Sequence, residues 1–140
     1  MVTTDDLLAA EAAYEDEVTG TGTIPALFED SAERHATLPA QQYKGGIYDR
    51  SLADEVVPEP ADGEFALLRY EEMREIVRNL AAGFRDLGLE HRDRVGIFAN
   101  TRMEWAQTDF ALLAAGGVVT TIYTESSPRQ VRYLLDDPDA

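Results

Sequence analysis

The chain has 140 residues, enough for one domain with a core, and 44% of them are hydrophobic. Its 27 acidic residues against 12 Lys and Arg leave a formal net charge of -15, which repels phosphate backbones and anionic membranes and argues against nucleic-acid and membrane-surface binding. With no cysteine, disulfides, thiolate metal sites and cysteine nucleophiles are excluded, and no apolar run is long enough to cross a bilayer. The carboxylates are spread along the whole chain. That is the pattern of a soluble acidic surface and, more sharply, of a salt-loving source whose self-repulsion is screened. Met1 to Asp6 lacks the basic and apolar regions of a secretory signal, so the cytoplasm is the expected compartment.

Residues 1–22 read as an acidic leader and linker. Leu7, Leu8, Ala12 and Tyr14 could line a weak helical face, or the segment could be a frayed leader. Gly20-Thr21-Gly22-Thr23 does not follow a strand, so its glycines are no phosphate-binding fingerprint. A short helix follows, with Thr23 as cap, Pro25 in the first turn, and Ile24, Leu27, Phe28 and Ala32 on one apolar face. Two short runs between Ala40 and Tyr48 flank Lys44-Gly45-Gly46 and predict a β-hairpin. Residues 54–64, with Pro58, Pro60 and Gly63, predict an exposed loop.

Phe65–Arg69 predicts a strand leading into an amphipathic helix. Met73, Ile76, Val77, Leu80, Ala81, Phe84 and Leu87 recur there at three- and four-residue steps. Gly88 suits a left-handed residue closing that helix, with Leu89 making the accompanying apolar contact. Val95–Ala99 is a continuous apolar run of the kind found in parallel strands. Thr101 and Glu104 fit a capping box opening a largely buried helix through about Ala115. Val118–Tyr123 is β-branched and predicts a second strand. Ser127 and Gln130 form another capping box, opening a last helix to about Asp137.

The expected fold class is therefore α/β: a partial doubly wound parallel sheet (βαβα) preceded by a short helix and a β-hairpin. A right-handed crossover is the default geometry. Two parallel strands leave both edges open, and a third strand is expected where the chain stops. The domain reads as unfinished, and a partner polypeptide or oligomer could complete its sheet.

Little catalytic chemistry is legible. His91-Arg92-Asp93 is like the kinase triplet, but Phe98 stands where an Asn is required. His35 and His91 are far apart and no HExxH exists, so no metal ligands are assigned. There is no Walker A loop and no nucleophile elbow. Lys44, the sole lysine, reads as a solvated turn residue, and Asp109 as a helix-surface or inter-domain carboxylate. Trp105 reads as core or interface packing. Ligand sites in open α/β sheets gather at strand carboxyl ends, which makes Tyr123, Thr124 and Glu125 weak substrate-binding candidates. No catalytic residue is assigned.

Asp93-Arg94-Val95-Gly96-Ile97-Phe98-Ala99-Asn100-Thr101-Arg102-Met103-Glu104-Trp105 resembles the early segment of long-chain acyl-CoA synthetases, in the AMP-binding (adenylate-forming) superfamily. Leu113 to Val119, Ile122-Tyr123-Thr124 and Ser127 to Leu135 are similar to the blocks that follow it. Upstream, Leu80 to Phe84, Leu87-Gly88-Leu89 and Ile24 to Phe28 match earlier ones. His91-Arg92 and Thr120-Thr121 depart from the family pattern. The resemblance covers residues 23–140 and implies a truncated N-terminal part of the AMP-binding domain, an incomplete adenylate-forming N-terminal domain. For an intact member it implies a fatty acid substrate, ATP, Mg²⁺ and coenzyme A, with an acyl-adenylate formed and then AMP displaced. The phosphate loop and C-terminal lysine of such enzymes have no counterpart here, so no cofactor is assigned to this chain, and alone it is expected to be inactive. Two other readings remain: a stand-alone interaction module, and a small ligand-binding domain using the strand ends near Tyr123.

Overall fold

The computed structural model describes residues 3–6, 8, 9, 13, 22–47, 57 and 59–136. Residues 4–6, 8, 9 and 13 are helical, opened by Thr3, whose hydroxyl accepts the Asp6 N–H at 3.2 Å. Leu7, Ala12 and Tyr14 of the expected helical face lie outside the described residues, as does Asp137.

Helix α1 (Ile24–Arg34) starts as its sequence demands. Thr23 Oγ1 accepts the Ala26 N–H at 3.3 Å and Pro25 occupies the first turn. Its inner face buries Phe28 and Ala32, while Ile24 projects outward. Strand β1 (Pro39–Lys44) then pairs antiparallel with β2 (Phe65–Arg69), setting Lys44 opposite Phe65 and Gln42 opposite Leu67.

That pairing corrects the expected hairpin at Lys44-Gly45-Gly46. Of the run after the glycines only Ile47 is described, and it is not in a strand. Phe65–Arg69 alternates burial along five residues and supplies the partner instead. Gly45 is pressed against the Pro60 carbonyl, where no side chain fits. The Gly45 N–H donates to Glu64 O at 2.9 Å, extending the pairing across the long connection. Nor is that connection exposed throughout: Val57 is buried.

Helix α2 (Tyr70–Asp86) buries Met73 and Val77. It closes at Gly88, whose φ is +101°, and the Leu89 N–H reaches back to Phe84 O at 3.0 Å. Because the chain leaves the helix there, Leu87 is the C-cap and stands 86% exposed, not on the apolar face.

The last four elements are β3 (Arg94–Phe98), α3 (Met103–Ala114), β4 (Val118–Ile122) and α4 (Pro128–Asp136). β3 and β4 pair in parallel, Arg94 with Val118 through Phe98 with Ile122. The expected βαβα order therefore holds, as a two-stranded parallel sheet beside a two-stranded antiparallel one. This is a mixed α/β fold. The Ser127 capping box forms: its N–H donates to Gln130 Oε1 at 2.8 Å and its hydroxyl accepts the Gln130 N–H at 3.4 Å. The Thr101 box does not. Helix α3 begins one residue later, Arg102 is the N-cap without a side-chain cap bond, and Glu104 is taken by the Arg102 guanidinium at 2.8 and 3.1 Å.

α3 is the central helix, touching α1, α2, β1, β3 and β4. Its Ala111 joins Phe28, Ala32, Met73 and Val77 in the core. Phe110 stacks on Phe28 with ring centroids 4.5 Å apart. The burial expected for α3 holds at Ala111 and Leu112, but its third buried residue is polar: Gln107 donates from Nε2 to Gln41 Oε1 at 2.9 Å. Gln41 Nε2 in turn donates to the Met103 carbonyl at 3.1 Å, so the amide pair stitches β1 to α3.

Candidate functional site at the strand carboxyl ends

In a parallel pair both strands end on the same side, and the loops leaving them border one crevice. Here β3 runs out at Phe98 and β4 at Ile122. An open cleft of about 580 Å³ lies between the loops that follow, walled by Asn100, Thr101, Arg102, Trp105, Tyr123 and Thr124. Tyr123 stands 83% exposed at its rim. Thr124 and Glu125 make the turn leading to α4. The structure thus brings Tyr123 and Thr124 together with the end of β3. It places Glu125 in the same turn, outside the residues that line the cleft.

Asn100, Thr101, Arg102 and Trp105 were not legible as one site with Tyr123. Their signal was present: they follow the first parallel strand as Tyr123 follows the second. Trp105, read as packing, sits in the first turn of α3 and is only partly buried.

The wall is chemically mild. It offers hydroxyls, one amide and two aromatic rings. Its guanidinium is held by Glu104 in a two-point ion pair. Asp109 lies one helical turn beyond Trp105, is not part of the wall, and has its carboxyl pushed upward by burial. His35 lies 6.2 Å from the Tyr70 ring, and His91 backs against Gly116. Among the described residues, no group of three His, Asp or Glu side chains is placed to hold a metal ion. A magnesium-bound triphosphate needs several unpaired cations and free carboxylates. This donor set does not fit one, and no step of nucleotide chemistry is assigned to it.

Residues 28–140 match the family model described as AMP-binding enzyme. The chain is 36% identical over 119 residues to the long-chain-fatty-acid–CoA ligase FadD15 of Mycobacterium bovis, an alignment covering 84% of this chain and 19% of that protein. It is 39% identical over 115 residues to the long-chain-fatty-acid–CoA ligase ACSBG1 of Rattus norvegicus, covering 82% of this chain and 14% of that one. The chain therefore spans about a fifth or less of the length of these relatives. Among solved structures, the NpsA N-terminal subdomain of Klebsiella oxytoca superposes with a TM-score of 0.62 over 81% of this chain and 24% of that one. At 21% identity that likeness is one of fold.

Proposed function

The chain belongs to the AMP-binding enzyme family, and from that membership we propose that it supplies the N-terminal portion of a long-chain-fatty-acid–CoA ligase, which activates a fatty acid with ATP and passes it to coenzyme A. The observation that carries this reading is the alignment to such ligases across more than four-fifths of the chain. In this reading residues 1–22 are a leader and 23–140 are scaffold. The wall formed by Asn100, Trp105, Tyr123 and Thr124 faces substrate only once the rest of a ligase completes the site, with Glu125 beside it. The protein works in the cytoplasm of a salt-loving cell, a reading supported by its net charge of -15.

The test is ATP–pyrophosphate exchange with palmitate. This chain alone is expected to give none, and turnover would overturn the claim that it is only scaffold. Residues 23–140, grafted in place of the matching segment of the mycobacterial ligase, are expected to preserve exchange. A soluble, cooperatively melting chimera without exchange counts against the ligase reading. Among the described residues β3 and β4 pair only with each other, which favours a second reading, an interaction module whose sheet a partner polypeptide completes. A compact monomer by light scattering, melting cooperatively, would remove the need for that partner.

A further inference from the structure

A second cleft, of about 570 Å³, opens where β1 meets the start of α3. Its volume falls within the range of ordinary small-molecule sites. Tyr43, Ile47, Phe65 and Met103 give it an apolar lining, and Ile47 and Phe65 remain 53% and 62% exposed. Exposed apolar side chains clustered beside a concavity are a mark of binding surfaces. At this cleft stands Lys44, the only lysine in the chain. Its ammonium lies 5.6 Å from the centre of the Phe65 ring and, among the described residues, makes no ion pair. The ring contact holds the cation beside the apolar lining with donors still available. The one carboxylate in the lining, Glu104, is neutralised by Arg102 in the two-point pair.

We propose that this cleft binds a long-chain carboxylate, with its head on Lys44 and its alkyl chain along Phe65, Ile47 and Met103. The geometry calls for an amphiphilic anion, and the choice of a fatty acid among such anions rests on the ligase reading. The site is separate from the cleft at the strand ends, sharing with it only Thr101 and Arg102.

Equilibrium dialysis of radiolabelled palmitate, below its micellar concentration, tests this on the chain itself. Saturable binding of one palmitate is expected. Lys44→Ala should weaken it about five-fold, the worth of one exposed ion pair, and Lys44→Arg should restore it. Phe65→Ser should weaken it about ten-fold through lost apolar contact. Both positions are exposed, and circular dichroism verifies that each variant folds. Binding that does not saturate, binding untouched by Lys44→Ala and Phe65→Ser, or equal binding of hexadecanol would each overturn the site. An active chimera with no palmitate binding by the chain removes this site and leaves the ligase. A folded but inactive chimera beside Lys44-dependent palmitate binding removes the ligase and leaves the site.

Discussion

Gln107 is the buried polar side chain of the described core, 3% exposed. Its position on α3 gave no hint of the partner, because Gln41 lies 66 residues away. Replacing it with leucine leaves Gln41 Oε1 without the amide donor it now has, and a buried acceptor left unpaired costs about 1–3 kcal/mol. Gln107→Leu should therefore lower the urea midpoint despite its gain in hydrophobicity. An unchanged midpoint would show that water serves Gln41 equally well. Gly45 makes a second residue-scale case. A Cβ there overlaps the Pro60 carbonyl, so Gly45→Ala has to push the connection off β1, and a loss of about 1–3 kcal/mol is expected from overpacking. Gly63, with open space around it but a φ of +84°, should lose stability more mildly as Gly63→Ala, through backbone strain alone. Comparing the two melts separates crowding from dihedral strain.

Between elements, α1 is tied to α2 by Glu29, which accepts from Arg74 at 2.7 Å and from Arg78 at 2.6 and 2.9 Å. The Arg78 hydrogen bond, aided by Arg74, holds the Glu29 carboxyl below its ordinary pKa against a smaller opposing effect of burial. A depressed carboxylate contributes stability above its unfolded pKa and loses it as pH falls through the lower folded value. Glu29→Gln should thus cost stability at neutral pH, by about 1 kcal/mol or less because these side chains are partly solvated. The difference from the parent should vanish in acid. Asp109 has the opposite sign. Burial raises its pKa, so its contribution is full below the unfolded value and falls away as pH rises through the raised folded one. Asp109→Asn should raise the melting temperature at pH 7 and leave it nearly unchanged near pH 3. Thermal melts of both variants across pH would expose an error in either sign. Periodicity predicted the helices themselves; the ion pairs between them depended on how α1 was laid across α2.

At the scale of the molecule, charge and sheet geometry act together. Two two-stranded sheets leave Phe65, Leu67 and Phe98 more than half exposed, because two strands cannot cover the side chains of either face. The last helix shows the same shortfall. Leu135 approaches Gly96 so closely that an added Cβ would meet its Cδ2 at 3.2 Å, yet Leu135 stays 60% exposed. On such a thin scaffold, self-repulsion from a net charge of -15 opposes the compact state. Added KCl should raise the melting temperature and sharpen the transition between low and molar concentrations, as screening shortens the reach of each charge. Circular dichroism melts that are flat across that series would refute the salt-loving reading.

Local pattern determined the identity and order of most elements. The Thr23 and Ser127 caps, the three- and four-residue spacing of α2, the Gly88 stop and the β-branched run of β4 are decided by backbone groups within a few residues of each other. Ordered motifs along the chain were also enough to indicate the family. Contacts across long stretches of chain required the tertiary structure. β1 takes Phe65–Arg69 as its partner over a connection of about twenty residues, because pairing rewards a full alternating strand more than a nearer, shorter run, and loop closure grows costly only slowly with length. Gln41 is brought to Gln107, and Asn100 and Tyr123 to the walls of one cleft, by the fold alone. Such pairings carry no local signature, and they decide where the strand-end cleft and the cleft at Lys44 lie.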